Sequence, residues 1–236
     1  MITFNGVAWN TFPDIRSIMR VSRPVSPGAR ARLLEITGRP GAFYFGKDRR
    51  PVPVSFRIAL DSSSIADRRS TIRDIADWLE TEEPEVLTLS DEPGLRYYAV
   101  LIDPIDTDEF ATVGFADVSL LVPAGYAEST TTKTASPNLG TLPCPVEITA
   151  TMQEISNTLR VELGDEYILI TPDVAFAVSD EVIIDTNTHY VTINGDDARE
   201  YVSFASTYFK LPSGAFSIDA DPASTTVATV FRERFK

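Results

Sequence analysis

The chain has a single histidine, His189, so any Ser-His-Asp arrangement would have to use it. His189 stands at the start of a predicted strand, and no nucleophile motif accompanies it in the sequence. A lone histidine in this setting is typical of an exposed or edge-strand residue. We therefore predict no catalytic residue at this position.

A second candidate for chemistry is the acidic stretch that holds Glu82, Glu83, Glu85, Asp91 and Glu92. Glycoside hydrolases place two carboxyl groups on either side of the scissile bond, one acting as an acid. Nothing apolar in this stretch would raise the pKa of a carboxyl group for that role. A solvated acidic turn is the favoured interpretation, and we predict that the chain is not an enzyme.

The remaining candidates for chemistry are a set of oxygen-bearing side chains that could bind a metal and one thiol. Asp185, Asn187, Asp196 and Asp197 have the side chains that Ca²⁺ prefers, but they do not follow the EF-hand pattern and are interpreted as turn residues. The only cysteine, Cys144, has no basic neighbour that would lower its pKa, and it can form neither an internal disulfide nor a cysteine-rich zinc site. The sequence predicts no metal and no cofactor.

One helix and the hairpin after it organise the first half of the chain. Ser64 is a good N-cap, and Pro84 lacks the N–H that would continue the helix. The predicted apolar stripe is Ile65, Ile72, Ile75, Ala76 and Leu79, and the residues predicted to lie outside it are Arg68, Arg69, Arg73, Asp74 and Asp77. Such a stripe needs a sheet to pack on.

Strand patterns surround this helix. Phe4-Asn5-Gly6 is typical of a tight hairpin turn, and Gly38-Arg39-Pro40-Gly41 of a second turn. The predicted strands are 19–21, 32–37, 54–60, 86–89, 95–102 and 110–122. These patterns predict an N-terminal domain at residues 1–130, β-sandwich-like, with one packed helix and β-hairpins.

A compositional change separates the two halves. Residues 127–137 are small and polar, which predicts a linker that cannot bury anything. Beyond it, Asn194-Gly195 suits a type I′ hairpin. The predicted strands are 146–149, 159–163, 167–170, 181–184, 190–193, 201–204, 217–219 and 227–231. Short strands at this spacing predict a C-terminal antiparallel β-sandwich at residues 138–236.

Charge is divided unevenly along a chain whose net charge is −13. Residues 1–60 carry +7, residues 61–136 carry −11 and residues 137–236 carry −9. The net negative charge of the whole chain argues against sequence-specific nucleic-acid binding, because nucleic-acid-binding domains are usually basic. The basic first quarter is predicted to pair with residues 61–136 within or between subunits, through Arg16, Arg20, Arg23, Arg30, Arg32, Arg39, Arg49, Arg50 and Arg57.

Two further absences guide the prediction of location. No apolar run approaches the roughly 18 residues of a membrane helix, so we predict no membrane association. The first residues show neither a basic start nor a continuous apolar segment. The chain is therefore expected to be synthesised in the cytoplasm without secretion.

The order of the motifs resembles a known family. The F-N-G turn comes first, then I-T-G-R-P-G-A, a helix that ends in W-L, and the hairpin P-E-V-L-T-L-S-D-E-P with Y-Y-A-V-L. N-L-G-T, P-V-E-I-T, E-V-I-I-D-T-N-T-H-Y-V-T-I-N-G and L-P-S-G follow in the second half. This order is similar to that of the distal tail protein (Dit) family of long-tailed siphophages, over nearly the whole chain.

The resemblance implies a structural virion protein with a galectin-like C-terminal sandwich. It implies a homo-oligomer, a hexameric ring at the phage tail tip that joins the tail tube protein to the tip protein and the receptor-binding protein. At 236 residues the chain has no room for the carbohydrate-binding modules that some relatives insert, so it resembles the minimal form. No site residue follows from the resemblance.

Two alternatives remain. The first is a carbohydrate-binding adhesion module, although both tryptophans, Trp9 and Trp78, precede the second half. Sugar stacking there would depend on tyrosines that are more often packing groups, namely Tyr167, Tyr190, Tyr201 and Tyr208. The second alternative, ranked last, is a tail-associated glycan hydrolase.

Overall fold

The computed structural model describes residues 2–24, 27–110 and 113–236. It divides into two compact units, Met1–Glu128 with Lys236, and Ser129–Phe235. The mainly β fold class is confirmed. Whether the units fold independently, as domains bounded at 1–130 and 138–236, stays a prediction.

The first unit holds eleven described strands, one α-helix and a short 3₁₀ turn at Trp9–Thr11. Their bounds are β1 (Ile2–Phe4), β2 (Val7–Ala8), β3 (Ile15–Ser22), β4 (Ala29–Glu35), β5 (Ala42–Arg49), β6 (Val52–Asp61), α1 (Ile65–Leu79), β7 (Glu85–Leu89), β8 (Leu95–Leu101), β9 (Asp106–Phe110), β10 (Val113–Val122) and β11 (Ala127–Ser129), the last of which ends in the second unit.

The main sheet of the first unit runs β2-β1-β7-β8-β10-β6-β3, and β9 pairs with β10 beside that path. Strand β6, which lies between β10 and β3, alternates, so that Val54, Phe56 and Ile58 are buried while Pro53 is exposed. Alternation of this kind lets a strand turn one face to the core and the other to solvent. The Asn5-Gly6 hairpin is confirmed, because both residues have positive φ, as a type I′ turn requires.

The helix begins where the sequence predicts. The Ser64 side chain accepts a hydrogen bond from the backbone N–H of Asp67 at 3.1 Å, which caps the first turn. Ile75 and Leu79 are buried as predicted. Trp78 is buried as well, and its indole N–H donates to the carbonyl of Phe4 at 3.0 Å.

Two helix predictions are wrong. Arg68 was predicted outside the stripe but is 1% exposed, whereas Ile65 was predicted inside it and is 58% exposed. The buried face runs through Arg68, Thr71, Ile75 and Trp78, which is helical spacing set from a different starting residue. Charge type misled the prediction, because arginine is seldom fully buried in proteins.

The second unit contains short strands and a 3₁₀ turn at Arg199–Tyr201. The strands are β12 (Val146–Thr151), β13 (Leu159–Leu163), β14 (Glu166–Ile170), β15 (Glu181–Asp185), β16 (Tyr190–Ile193), β17 (Asp196–Asp197), β18 (Asp219–Asp221), β19 (Thr226–Phe231) and β20 (Arg234–Phe235).

Two antiparallel sheets, β17-β16-β15-β12-β19 and β14-β13-β18, share one core in this unit. Ile148 and Ile184 come from the first sheet, Val161 and Ile168 from the second, and all four are fully buried. This arrangement is the predicted β-sandwich. Asn194 and Gly195 both have positive φ, which confirms the predicted hairpin turn.

Three predictions for the second half are wrong. Residues 201–204 form no strand, because the chain makes the 3₁₀ turn there and only Val202 keeps a single bridge. Strand 217–219 is displaced to Asp219–Asp221. Residues 127–137 are not a free linker: Ala127–Ser129 is a strand, Ser129 is buried, and the backbones of Lys133 and Phe231 exchange two hydrogen bonds. Small polar residues can be held in this way because backbone pairing needs no apolar side chain.

Buried hydrogen bonds of Asn138 and Glu233 fix the chain just after that segment. The buried Asn138 side-chain amide donates to the carbonyl of Pro212 at 3.0 Å, and its oxygen accepts from the backbone N–H of Gly140 at 2.9 Å. The buried carboxylate of Glu233 accepts from the N–H of Leu139 at 2.9 Å. The backbone of Arg234 lies so close to Gly140 that an added Cβ would sit 2.7 Å from its oxygen.

Replacing Gly140 by alanine should therefore destabilise the second unit by about 1–3 kcal/mol, the usual cost of overpacking a tight site. Urea melts followed by circular dichroism measure this difference. The matched control is Leu139→Ala, since that neighbouring side chain is exposed and its loss should change the free energy of unfolding little. Equal stability of the two variants would contradict the close approach.

Candidate interaction surface

The hairpin of β4 and β5 stands apart from the main sheet. Its two strands pair with each other from Ala29↔Arg49 to Glu35↔Ala42, and they form a separate two-stranded sheet in the described part of the chain. We call residues 29–49 the arm. An isolated two-stranded hairpin is at best marginally stable in water, so the arm is built to contact something else.

Apolar side chains cover the arm. Tyr44 is 62% exposed and Phe45 is 60% exposed. Four more large apolar residues of the arm are exposed, namely Leu33, Leu34, Ile36 and Phe43. Contiguous exposed apolar surface of this kind marks an interaction site rather than an ordinary surface.

The arm is also basic. Its sequence holds five Lys and Arg residues against two acidic residues, a net charge of +3. The Arg39 guanidinium lies over the Phe43 ring at 4.1 Å from its centroid, and Arg32 pairs with Asp48 at 3.5 Å. The arm therefore combines exposed aromatic and aliphatic groups with a positive net charge.

The root of the arm is fixed by a close backbone contact. The N–H of Arg50 donates to the carbonyl of Gly28 at 2.9 Å, and the Arg49 guanidinium donates to the carbonyl of Gly125 at 3.3 Å. Gly125 has φ +67, and a Cβ there would lie 2.6 Å from the Arg50 carbonyl oxygen. Only glycine fits this position without strain.

The acidic turn of the hairpin β7–β8 lies against the segment that precedes the arm. Arg23 pairs with Asp91 and with Glu92, each at 3.0 Å, and the Tyr97 hydroxyl donates to Glu92. Burial raises the pKa of Tyr97 well above its ordinary value, and the hydrogen bond to Glu92 adds to the rise. The candidate glycosidase carboxylates Asp91 and Glu92 are thus held in ion pairs. The predicted pairing of basic and acidic segments is confirmed here within one subunit.

The other two residues considered for catalysis, His189 and Cys144, lie in different environments. His189 is exposed at a turn with φ +59, and its ring stacks on that of Tyr208 at 4.4 Å between centroids. Cys144 is fully buried. His189 is therefore a solvent-exposed turn residue, and Cys144 belongs to the core of the second unit.

The predicted turn role of the oxygen-rich residues holds for Asp185 and Asn187, whereas Asp196 and Asp197 form the short strand β17. The carboxylate of Asp185 accepts from the N–H of Asn187 at 2.8 Å and from the Thr188 hydroxyl at 2.6 Å. The hydrogen bond from Arg199 lowers the pKa of Asp197. Over residues 2–24, 27–110 and 113–236, no group of three or more His, Cys, Asp or Glu side chains is arranged to hold a metal.

The arm is the feature that sequence reasoning missed. Residues 32–37 were predicted as a strand, but their partner at Ala42–Arg49 was not. The signal was present as Phe43, Tyr44 and Phe45, three consecutive aromatic residues after a glycine turn. Alternation is absent because neither face of this hairpin packs on the core of its own unit.

Family models match both halves of the chain. Residues 10–122 match the phage tail protein RIFT-related domain, and residues 139–235 match the C-terminal domain of the siphovirus-type tail component. The chain belongs to the siphophage distal tail protein family. It is therefore a structural protein of the phage virion, of the baseplate-hub type.

Solved structures agree with this assignment. The crystal structure of phage SPP1 Dit, described as a paradigm of the hub adsorption apparatus in phages that infect Gram-positive hosts, superposes with a TM-score of 0.84. It is 14% identical, and the match covers 100% of this chain and 98% of that chain, so the distal tail protein fold is confirmed over the full length.

Two structures of the phage P2 baseplate in its activated conformation, with calcium and with strontium, are more distant. Each has a TM-score of 0.47 and 7% identity over 93% of this chain and 90% of that chain. No curated protein sequence is similar enough to count as a match. In the parts of the chain that the structure describes, no helix is both long enough and apolar enough to span a membrane.

Proposed function

We propose that this distal tail protein closes into a hexameric ring that joins the tail tube to the tip and the receptor-binding apparatus. The observation that carries the proposal is the arm, an apolar and basic hairpin that its own unit leaves uncovered. A second copy can cover it. The number six comes from the family resemblance and not from the geometry of the arm.

A ring requires that the arm contacts are not reciprocated between the same two copies. Each arm then reaches a different surface of the next copy, and such heterologous contacts repeat head to tail until the rotation closes. The two faces of a closed ring differ, so one face can bind the tail tube protein and the other the tip protein.

The first test is the mass in solution. Six copies of 26.0 kDa give 156 kDa, which light scattering on concentrated protein should approach. High salt should shift the population toward smaller species, because exposed charge pairs between subunits are screened. Negative-stain images should show rings with an axial opening, whereas a stable two-fold dimer would contradict the proposal.

The alternative of a carbohydrate-binding adhesion module is not favoured by a specific observation. Arg199 covers the ring of Tyr190 at 4.9 Å, and His189 covers the ring of Tyr208. Arg160 likewise covers the ring of Tyr167 at 4.2 Å, so three of the four candidate tyrosines have one face occupied by a side chain of the same unit. A glycan array with the purified chain separates this alternative from the assembly role.

A further inference from the structure

An apolar groove opens on the first unit between α1 and the segment that follows β8. Its volume is about 430 Å³. One wall is formed by Ile72, Ala76 and Glu80, which lie on one face of α1 because they are spaced four residues apart. The other wall is formed by residues 101–105. The groove belongs to the first unit alone and shares no residue with the arm.

The floor of this groove is apolar. Ile72, Leu101 and Ile105 pack against the core of the first unit and remain partly exposed. Ile102, which also lines the groove, is 53% exposed. A concave apolar surface of this kind is typical of a site that binds an apolar partner. The groove can therefore bury apolar side chains of another molecule against the core of the first unit.

The groove is acidic, because the charged residues of its lining, Glu80 and Asp103, both carry exposed carboxylates. Residues 74–95 hold eight Asp and Glu residues and no Lys or Arg. The last turn of α1 has no basic residue, although cations stabilise the C-terminal end of a helix. Arg69 and Arg73 stand seven or more residues before Glu80, about two helical turns away. The groove therefore attracts a positively charged partner.

The backbone of the groove indicates that it binds a helix rather than a strand. Residues 102–105 form no strand, and Pro104 has no backbone N–H to donate to an incoming strand. Contact with this wall must therefore be made through side chains. An amphipathic helix makes such contacts by laying apolar anchors, three or four residues apart, into a groove.

We propose that this groove binds a basic amphipathic helix of a different tail protein. Apolar side chains of that helix would cover Ile72 and Ile102, and its Lys or Arg side chains would lie against Glu80 and Asp103. A second copy does not supply such a helix. Over residues 2–24, 27–110 and 113–236 the one α-helix is α1, and its three arginines are balanced by three aspartates. The inference rests on the proposed role of this chain as a connector between other tail proteins.

A model peptide tests the groove in the purified chain. The probe is a fluorescent amphipathic helical peptide of leucine and lysine, and its binding is measured by fluorescence anisotropy at about 0.15 M salt, where distant charges are screened. The chain should bind this peptide more tightly than a serine and lysine peptide of equal charge, and more tightly than a leucine and glutamate peptide of equal pattern. Equal binding of the leucine–lysine and serine–lysine peptides, or no binding of the first, would overturn the inference.

Variants locate the binding site. The Glu80→Lys, Asp103→Lys variant should bind the leucine and lysine peptide about tenfold more weakly, because like charges then face each other. Ile102→Ser should also weaken binding, without a change in net charge. The matched control is Glu147→Lys, Glu154→Lys in the second unit, which makes the same charge change at two exposed positions and should bind like the unmodified chain. Equal losses in the groove variant and the control would overturn the inference.

Crosslinking in assembled tails identifies the partner. A photoreactive benzophenone amino acid in place of Ile102 should link to a segment of a different tail protein that combines apolar residues with Lys or Arg. A link to another copy of this chain, or to no other protein, would overturn the inference. Particle mass judges the ring separately. Particles of about 156 kDa that fail to bind the peptide overturn only the inference, whereas a chain of 26.0 kDa that binds it overturns only the ring.

Discussion

Exchanging Tyr44 and Phe45 for serine should abolish the ring, and particle mass should fall from about 156 kDa for six copies to the 26.0 kDa of one. The two aromatic side chains are the most exposed large apolar groups of the arm, and adjacent residues of a strand point to opposite faces. Loss of a buried aromatic anchor costs roughly 2 kcal/mol or more at an interface, and a ring repeats that loss at every contact. Light scattering at matched concentrations measures the result.

The control for this variant removes exposed apolar groups elsewhere. Ile155 and Val174, in the second unit, are more exposed than either aromatic residue of the arm. The Ile155→Ser, Val174→Ser variant should keep the ring, because nothing in the proposal uses these side chains. If both double variants remain at 156 kDa, the arm is not the contact, and if both dissociate, the effect is one of general surface apolarity.

The arm also shows where sequence reasoning fails. A strand that packs on the core of its own unit shows alternating apolar and polar residues. Residues 54–60 are predicted as a strand on that basis, and they lie within the observed strand Val52–Asp61. Residues 42–49 carry no such pattern, since the surface that covers them belongs to another molecule in the proposed ring. Hydrophobic periodicity in a sequence reflects burial against the core of the same chain. It does not reveal a surface that becomes buried only when subunits assemble.

Local chemistry was easier to predict than packing. The Ser64 cap and the two Asn-Gly turns depend on a few neighbouring residues, and all three are observed. The burial of Arg68 depends on how the helix packs, and residues 127–137 depend on a strand distant in sequence. A buried guanidinium and a polar segment held by backbone pairing both look solvent-exposed when only residue type is considered.

The second large expected effect is on stability, and it follows from the buried face of α1, which differs from the predicted face. Ile75 is 1% exposed and belongs to the core that includes Trp78 and Leu79, so Ile75→Ala should reduce the free energy of unfolding by about 2–5 kcal/mol. Asp74, one residue earlier, is exposed, and Asp74→Ala should change it by less than about 0.5 kcal/mol. Urea melts of the two variants measure the difference.

A third variant distinguishes the observed face from the one that the sequence predicted. Ile65 was predicted inside the stripe but is exposed, so Ile65→Ala should resemble Asp74→Ala and not Ile75→Ala. A loss at Ile65 as large as that at Ile75 would restore the predicted stripe and contradict the observed helix face.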